Sequence, residues 1–143
     1  MSFLEKLNLA ALGAGAVSLA WYLWRVLPQI GAVPAAEIAW KWPMGISLGL
    51  FVVLLIAGIV PLALTDPSVR ARDGIIDDER DRDIERRGDA WGGNLMHLIA
   101  FAALILLFTD IDRFWVAQLL FVGGMLAGLL SIALKIAAYR GRG

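Results

Sequence analysis

Few side chains in this chain are equipped for chemistry, and His97 stands first among them as the single histidine in 143 residues. A neutral imidazole binds iron well. Asn94 lies one helical turn before it and shares its face. A symmetric dimer would bring two copies of His97 to one haem, which makes His97, with Asn94, a candidate cofactor site. Met96 and Met125 offer soft sulfur ligands, but on a helix Met96 points about 100° away from His97. A plainer role for Asn94 and His97 is hydrogen bonding between helices. Asn8, Asp66 and Lys135 fall at the corresponding ends of their own segments, so these five residues can form one polar cluster. No Ser/His/Asp set, phosphate loop or metal-ligand spacing occurs, which points away from an enzyme. The chain has no Cys, so disulfides and thiolate metal sites are excluded. Net charge is zero, which removes bulk charge as a basis for direct nucleic-acid binding.

These residues need elements to position them, and four apolar stretches supply those: Leu7–Leu27, Met44–Leu64, Trp91–Thr109 and Phe114–Leu134, each of 19 to 21 residues. At ~1.5 Å rise per residue each reaches roughly 30 Å, the thickness of a bilayer core. An ionised side chain at mid-bilayer costs about 3 kcal/mol, so two stretches wholly free of charge are informative. A soluble bundle would carry a polar stripe on each helix. Phe51–Ile56 and Leu104–Phe108 leave no room for one, and the runs lack the alternation of a membrane barrel. The expectation is an all-α polytopic membrane protein, a single antiparallel bundle of four transmembrane helices covering the whole chain. Lys6 before an apolar run resembles a signal peptide, but the run continues through Trp21 and Trp24, so an uncleaved first helix is expected.

Lys and Arg decide the orientation. Ten lie at the N-terminal end, in the segment Thr65–Ala90 and at the C-terminal end; only Arg25, Lys41 and Arg113 lie on the other side. This bias puts both termini and the middle segment in the cytoplasm, as for a bacterial inner-membrane protein. Trp21, Trp24, Trp40, Trp42 and Trp115 then form an outer aromatic belt and Trp91 an inner one. Arg25 is expected to snorkel or to pair with Glu37. The short connection Asp110–Arg113 forces a tight hairpin, with Asp110 or Asp112 as helix cap. Small-residue pairs at Ala11/Gly15, Gly45/Gly49 and Gly124/Gly128 suit close helix packing, within the chain or between two copies. Pro61 should bend its helix locally.

The segment Asp77–Asp89 (DDERDRDIERRGD) is uncharged only at Ile84 and Gly88. Asp78 and Arg82, like Asp83 and Arg87, are spaced for helical ion pairs. Ile84, Trp91, Leu95 and Leu98 continue one stripe, so a single helix should start near Asp78 and run into the third apolar stretch. Gly88, Gly92 and Gly93 are points where it could kink. Nine acids against six bases in Thr65–Ala90 argue against a polybasic lipid-binding segment.

Asp78-Glu79-Arg80, followed by Ile84, more charge and a hydrophobic stretch, resembles the D-E-R signature of small four-helix membrane-protein families of unknown function. The resemblance implies a cytoplasmic middle loop. Because some such proteins are encoded beside transcription regulators and restrain them, it also implies a regulator as partner. The leading expectation is therefore a non-enzymatic regulatory protein that assembles as a homodimer. It would hold a cytoplasmic protein through Asp78, Glu79, Arg80, Arg82, Asp83, Arg86 and Arg87. A haem-binding or redox-sensing module using His97 is the alternative, and a small channel or transporter the second.

Overall fold

A computed structural model describes residues 3–65 and 79–141, with Arg80 described for its backbone alone. Every regular element in those residues is helical: α1 (Phe3–Val26), α2 (Lys41–Thr65), α3 (Glu79–Leu107) and α4 (Arg113–Arg140), with short 3-10 turns at Leu27–Gln29 and Ala35–Glu37. All four α-helices are long and apolar enough to cross a membrane.

Contacts run in the order α2, α1, α4, α3: α1 packs on α2 and on α4, and α3 packs on α4. The two middle helices carry most of the buried residues. The two outer ones expose large apolar side chains along their length, among them Val53, Ile56 and Leu64 on α2 and Leu98, Phe101 and Leu104 on α3.

The interior differs between its two ends. At one, Tyr22, Val26, Ile38 and Phe114 form a dry core, with Trp21, Trp40 and Phe121 packed against it. The Tyr22 and Phe121 rings meet edge to face at 4.7 Å, a favoured aromatic geometry. The Tyr22 hydroxyl donates to Gln118 Oε1 at 2.6 Å. Gln29 organises the loop above this core: its amide donates to the Arg25 carbonyl, and its Oε1 accepts from the Ala39 amide. Gly31 turns the same loop at φ 84°, a conformation that side chains disfavour. Asp112 caps α4 by accepting from the Phe114 amide at 2.8 Å, which confirms one of the two expected caps.

Buried hydroxyls tie the middle of the structure. Ser18 donates to the Ala14 carbonyl and Ser47 to the Ser18 carbonyl, the latter joining α2 to α1. Gly15 and Gly58 permit close approach: a Cβ on Gly15 would meet Leu129, and one on Gly58 would stand 3.0 Å from Ala10 Cβ. Gly45, Gly49 and Gly128 face open space, so the Gly45/Gly49 pair does not pack within the chain. Helix α2 continues through Pro61 for one more turn to Thr65, whose hydroxyl donates to the Pro61 carbonyl.

Candidate functional site

Helix α3 is unbroken from its charged first turns into its apolar half, as the Ile84–Leu98 stripe requires. Two of its glycines, Gly88 and Gly92, are points of contact with α4. Ser131 Oγ donates to the Gly88 carbonyl at 2.8 Å, and a Cβ on Gly92 would lie 2.8 Å from Ser131 Cβ. Further along, Met96 and Ile99 fill the space over Gly124 and Gly123. A side chain at position 88 or 92 would hold the two backbones apart.

This close approach brings Lys135 of α4 against α3, where its ammonium lies 2.5 Å from Glu85 and 2.7 Å from Asp89. Lys135 is 7% exposed. An ammonium withdrawn from water that far is tolerable only when paired, and two carboxylates pair it. Glu85 does more than balance charge. Its Oε1 accepts from the Asn8 side-chain amide at 2.7 Å and from the Tyr139 hydroxyl at 3.3 Å, while its Oε2 faces Lys135. One carboxylate thus links α1, α3 and α4. Beside it, Arg140 meets Glu5 at 3.4 Å, a second tie between α4 and α1.

Glu85 had no distinguishing mark within a run of eleven charges, yet it shares a helix face with Gly88 and Gly92. That face, three and four residues per step, is the signal that picks it out. Of the five residues expected to cluster, Asn8 and Lys135 do meet, through Glu85. Asn94 and His97 are exposed on α3, and Asp66 lies outside the described residues. Met96 turns toward α4, away from His97, as the helical spacing requires. Among the described residues no three or more His, Asp or Glu side chains gather as a metal site.

The residues expected to hold a partner divide. Asp78 lies outside the described residues, as does the side chain of Arg80. Glu79, Arg82, Asp83, Arg86 and Arg87 are exposed on α3, with Asp83 and Arg87 paired at 2.9 Å. The first turns of α3 therefore have an inner face locked to α4 and α1 and an outer face carrying charge of both signs. Between α3 and α4 runs a groove of about 630 Å³, with Asp83 and Arg87 at one end and Trp91, Leu130 and Leu134 lining its apolar wall.

Of the tryptophans, Trp24, Trp42 and Trp91 are strongly exposed, whereas Trp21 and Trp40 lean on the dry core. The Arg25 guanidinium lies 5.9 Å from the centre of the Trp24 ring, a cation–π contact rather than the ion pair with Glu37 that was one of its two expected roles. No protein-family model, curated protein or solved structure matches the chain.

Proposed function

We propose that the chain is a non-enzymatic integral membrane protein, four antiparallel helices in a bacterial inner membrane with both termini inside. In this reading the charged start of α3 is a docking face for a cytoplasmic protein. The observation that carries it is the two-sided character of that helix. Glu85 is turned inward to Lys135 and Asp89 pairs with the same ammonium from the rim, while Glu79, Arg82, Asp83, Arg86 and Arg87 are turned outward. Mixed charge on a rigid helix favours partner discrimination more than raw affinity. The inward lock supplies the rigidity, so docking there costs little ordering entropy.

Bilayer placement is supported by the same inside-out arrangement. Apolar side chains such as Phe101 and Leu104 cover the outside, and serines, Asn8, Glu5 and Lys135 are buried. Backbone groups in lipid must be satisfied internally, which unbroken helices achieve. The antiparallel arrangement is supported by Glu5 meeting Arg140 near one end of α1 and Tyr22 meeting Gln118 near the other.

The test is co-purification of detergent-solubilised protein from its own cells, with bound proteins identified by mass. Glu79→Lys combined with Arg86→Glu reverses two of the five outer charges without touching the Glu85–Lys135 lock. A partner retained by the native chain at low salt and lost by the variant is the expected result. A partner set unchanged by the reversal would remove the docking face.

A further inference from the structure

The groove between α3 and α4 is graded from end to end. At its polar end Asp83 and Arg87 form an exposed pair, with side chains 56% and 74% accessible. Ala138 of α4 stands beside them, and below are Trp91 from α3 and Leu130 and Leu134 from α4. Asp83 to Trp91, and likewise Ala138 to Leu130, covers eight residues, or about 12 Å of helix. With α3 entering the bilayer as proposed above, the charged end lies in the headgroup layer and the apolar end among acyl chains. Trp91, 66% exposed, then sits at the boundary that tryptophan favours.

We propose that this groove binds one phospholipid with a phosphoethanolamine headgroup. The order of charge is the reason. In such a lipid the phosphate, joined to glycerol, is the deeper charge and the ammonium the outer one. Along α3, Arg87 is the deeper residue and Asp83 the outer one by about 6 Å. The guanidinium faces the phosphate, for which its donor fork is suited. The carboxylate accepts N–H bonds from the ammonium, which a quaternary choline nitrogen has no hydrogens to make.

The present Asp83–Arg87 pair is no obstacle, since an exposed pair four apart contributes only about 0.3–0.5 kcal/mol and exchanges readily for lipid partners. A purely anionic headgroup fits less well. Among the described residues, the lining charges Asp83 and Arg87 cancel, and the neighbouring Glu85, Asp89 and Lys135 sum to one negative charge. The acyl chain packs against Trp91, Leu130 and Leu134.

The inference rests on the bilayer placement but not on the protein-docking reading. Its test is native mass spectrometry of the full chain released from micelles that contain equal amounts of phosphatidylethanolamine, phosphatidylcholine and phosphatidylglycerol. One phosphatidylethanolamine per chain is expected, retained about tenfold over the other two, the selectivity of one charge-assisted contact. Ala138→Trp fills the groove from an exposed position and abolishes the retained lipid. The double exchange Asp83→Arg with Arg87→Asp keeps net charge and reverses its order, and removes the preference for the ethanolamine head. Phe101→Leu, on the open face of α3, changes neither.

Equal retention of all three lipids, or retention unaffected by Ala138→Trp, would overturn the site and leave only unspecific surrounding lipid. A chain dimer that Ala138→Trp disrupts, with no lipid held, would assign the groove to a second copy and overturn it equally. A chain that disperses without detergent and carries no lipid of any kind would instead refute the bilayer placement.

Discussion

Lys135 is the residue on which the polar end of the structure turns. Its ammonium pairs with both Glu85 and Asp89, and the residue is only 7% exposed. Replacing it with Met keeps the bulk of the stem and removes the charge. Glu85 would keep Asn8 and Tyr139 as donors but lose its counter-ion, and Asp89 would fall back on water. With both carboxylates still partly exposed, the expected cost is about 1–3 kcal/mol, measured by thermal or denaturant unfolding in detergent. Adding Glu85→Gln to Lys135→Met should recover part of that loss, because the stranded carboxylate is then gone. A double variant that is less stable than the Lys135→Met single would show that Glu85 acts through Asn8 and Tyr139 rather than through the ion pair. This cluster was half legible in the sequence. Asn8 and Lys135 were visible because polar residues stand out against apolar surroundings. Glu85 was hidden, since within a solvated charge run no single carboxylate departs from its neighbours.

Helix–helix register depends on which glycines face a neighbour, and the four α-helices separate these sharply. Gly92 is pressed on Ser131 and on the Ala127 carbonyl, whereas Gly93 meets nothing within 4 Å. Gly92→Ala should therefore push α3 from α4 and cost about 1–3 kcal/mol, as overpacking does. Gly93→Ala should be neutral or stabilising by roughly 0.5–1 kcal/mol, since alanine favours the helix where space allows it. Thermal unfolding in one detergent compares the two adjacent substitutions. Equal effects would mean that α3 is rotated or not seated on α4. Gly92→Ala should also loosen the Lys135 lock, because Gly88 and Gly92 set the distance at which Lys135 reaches Glu85. The positions of the four helices were readable from the lengths of their apolar runs, and the Asp112 cap from the shortness of its loop. The order in which they pack was not. The motif Gly45-x-x-x-Gly49 looks as suited to packing as Gly88-x-x-x-Gly92, yet only the second meets another helix within the chain. Spacing places both glycines of a pair on one face but does not say what that face meets.

Taken whole, the molecule has a dry aromatic core toward one end and an ionic lock toward the other, and α3 and α4 span the distance between them. Helix α3 has 29 residues, or about 43 Å of helix, well beyond the roughly 30 Å of a hydrocarbon core. In the proposed bilayer placement one end must project, and the charged residues 79–89 determine which. On that placement, leaving Arg82, Asp83, Arg86 and Arg87 among acyl chains would cost several kcal/mol in sum, which sets the start of α3 at the headgroups and the water beyond them and Phe101 to Leu107 in lipid. In the same proposal, the bias of Lys and Arg toward that side assigns it to the cytoplasm. Because the chain has no Cys, single introduced thiols report this without interference. A thiol-specific reagent that does not cross membranes should label Ile111→Cys, in the turn between α3 and α4, on intact cells. It should reach Glu79→Cys only after the membrane is opened. Both positions are exposed, so neither substitution disturbs a packed contact. Labelling of Glu79→Cys on intact cells would invert the topology and place the charged face where no cytoplasmic protein meets it. Labelling of both would mean that α3 does not cross the bilayer. Loss of Ile111 labelling alone, with Glu79 still protected, would bury the α3–α4 turn and require a different depth for the ionic lock.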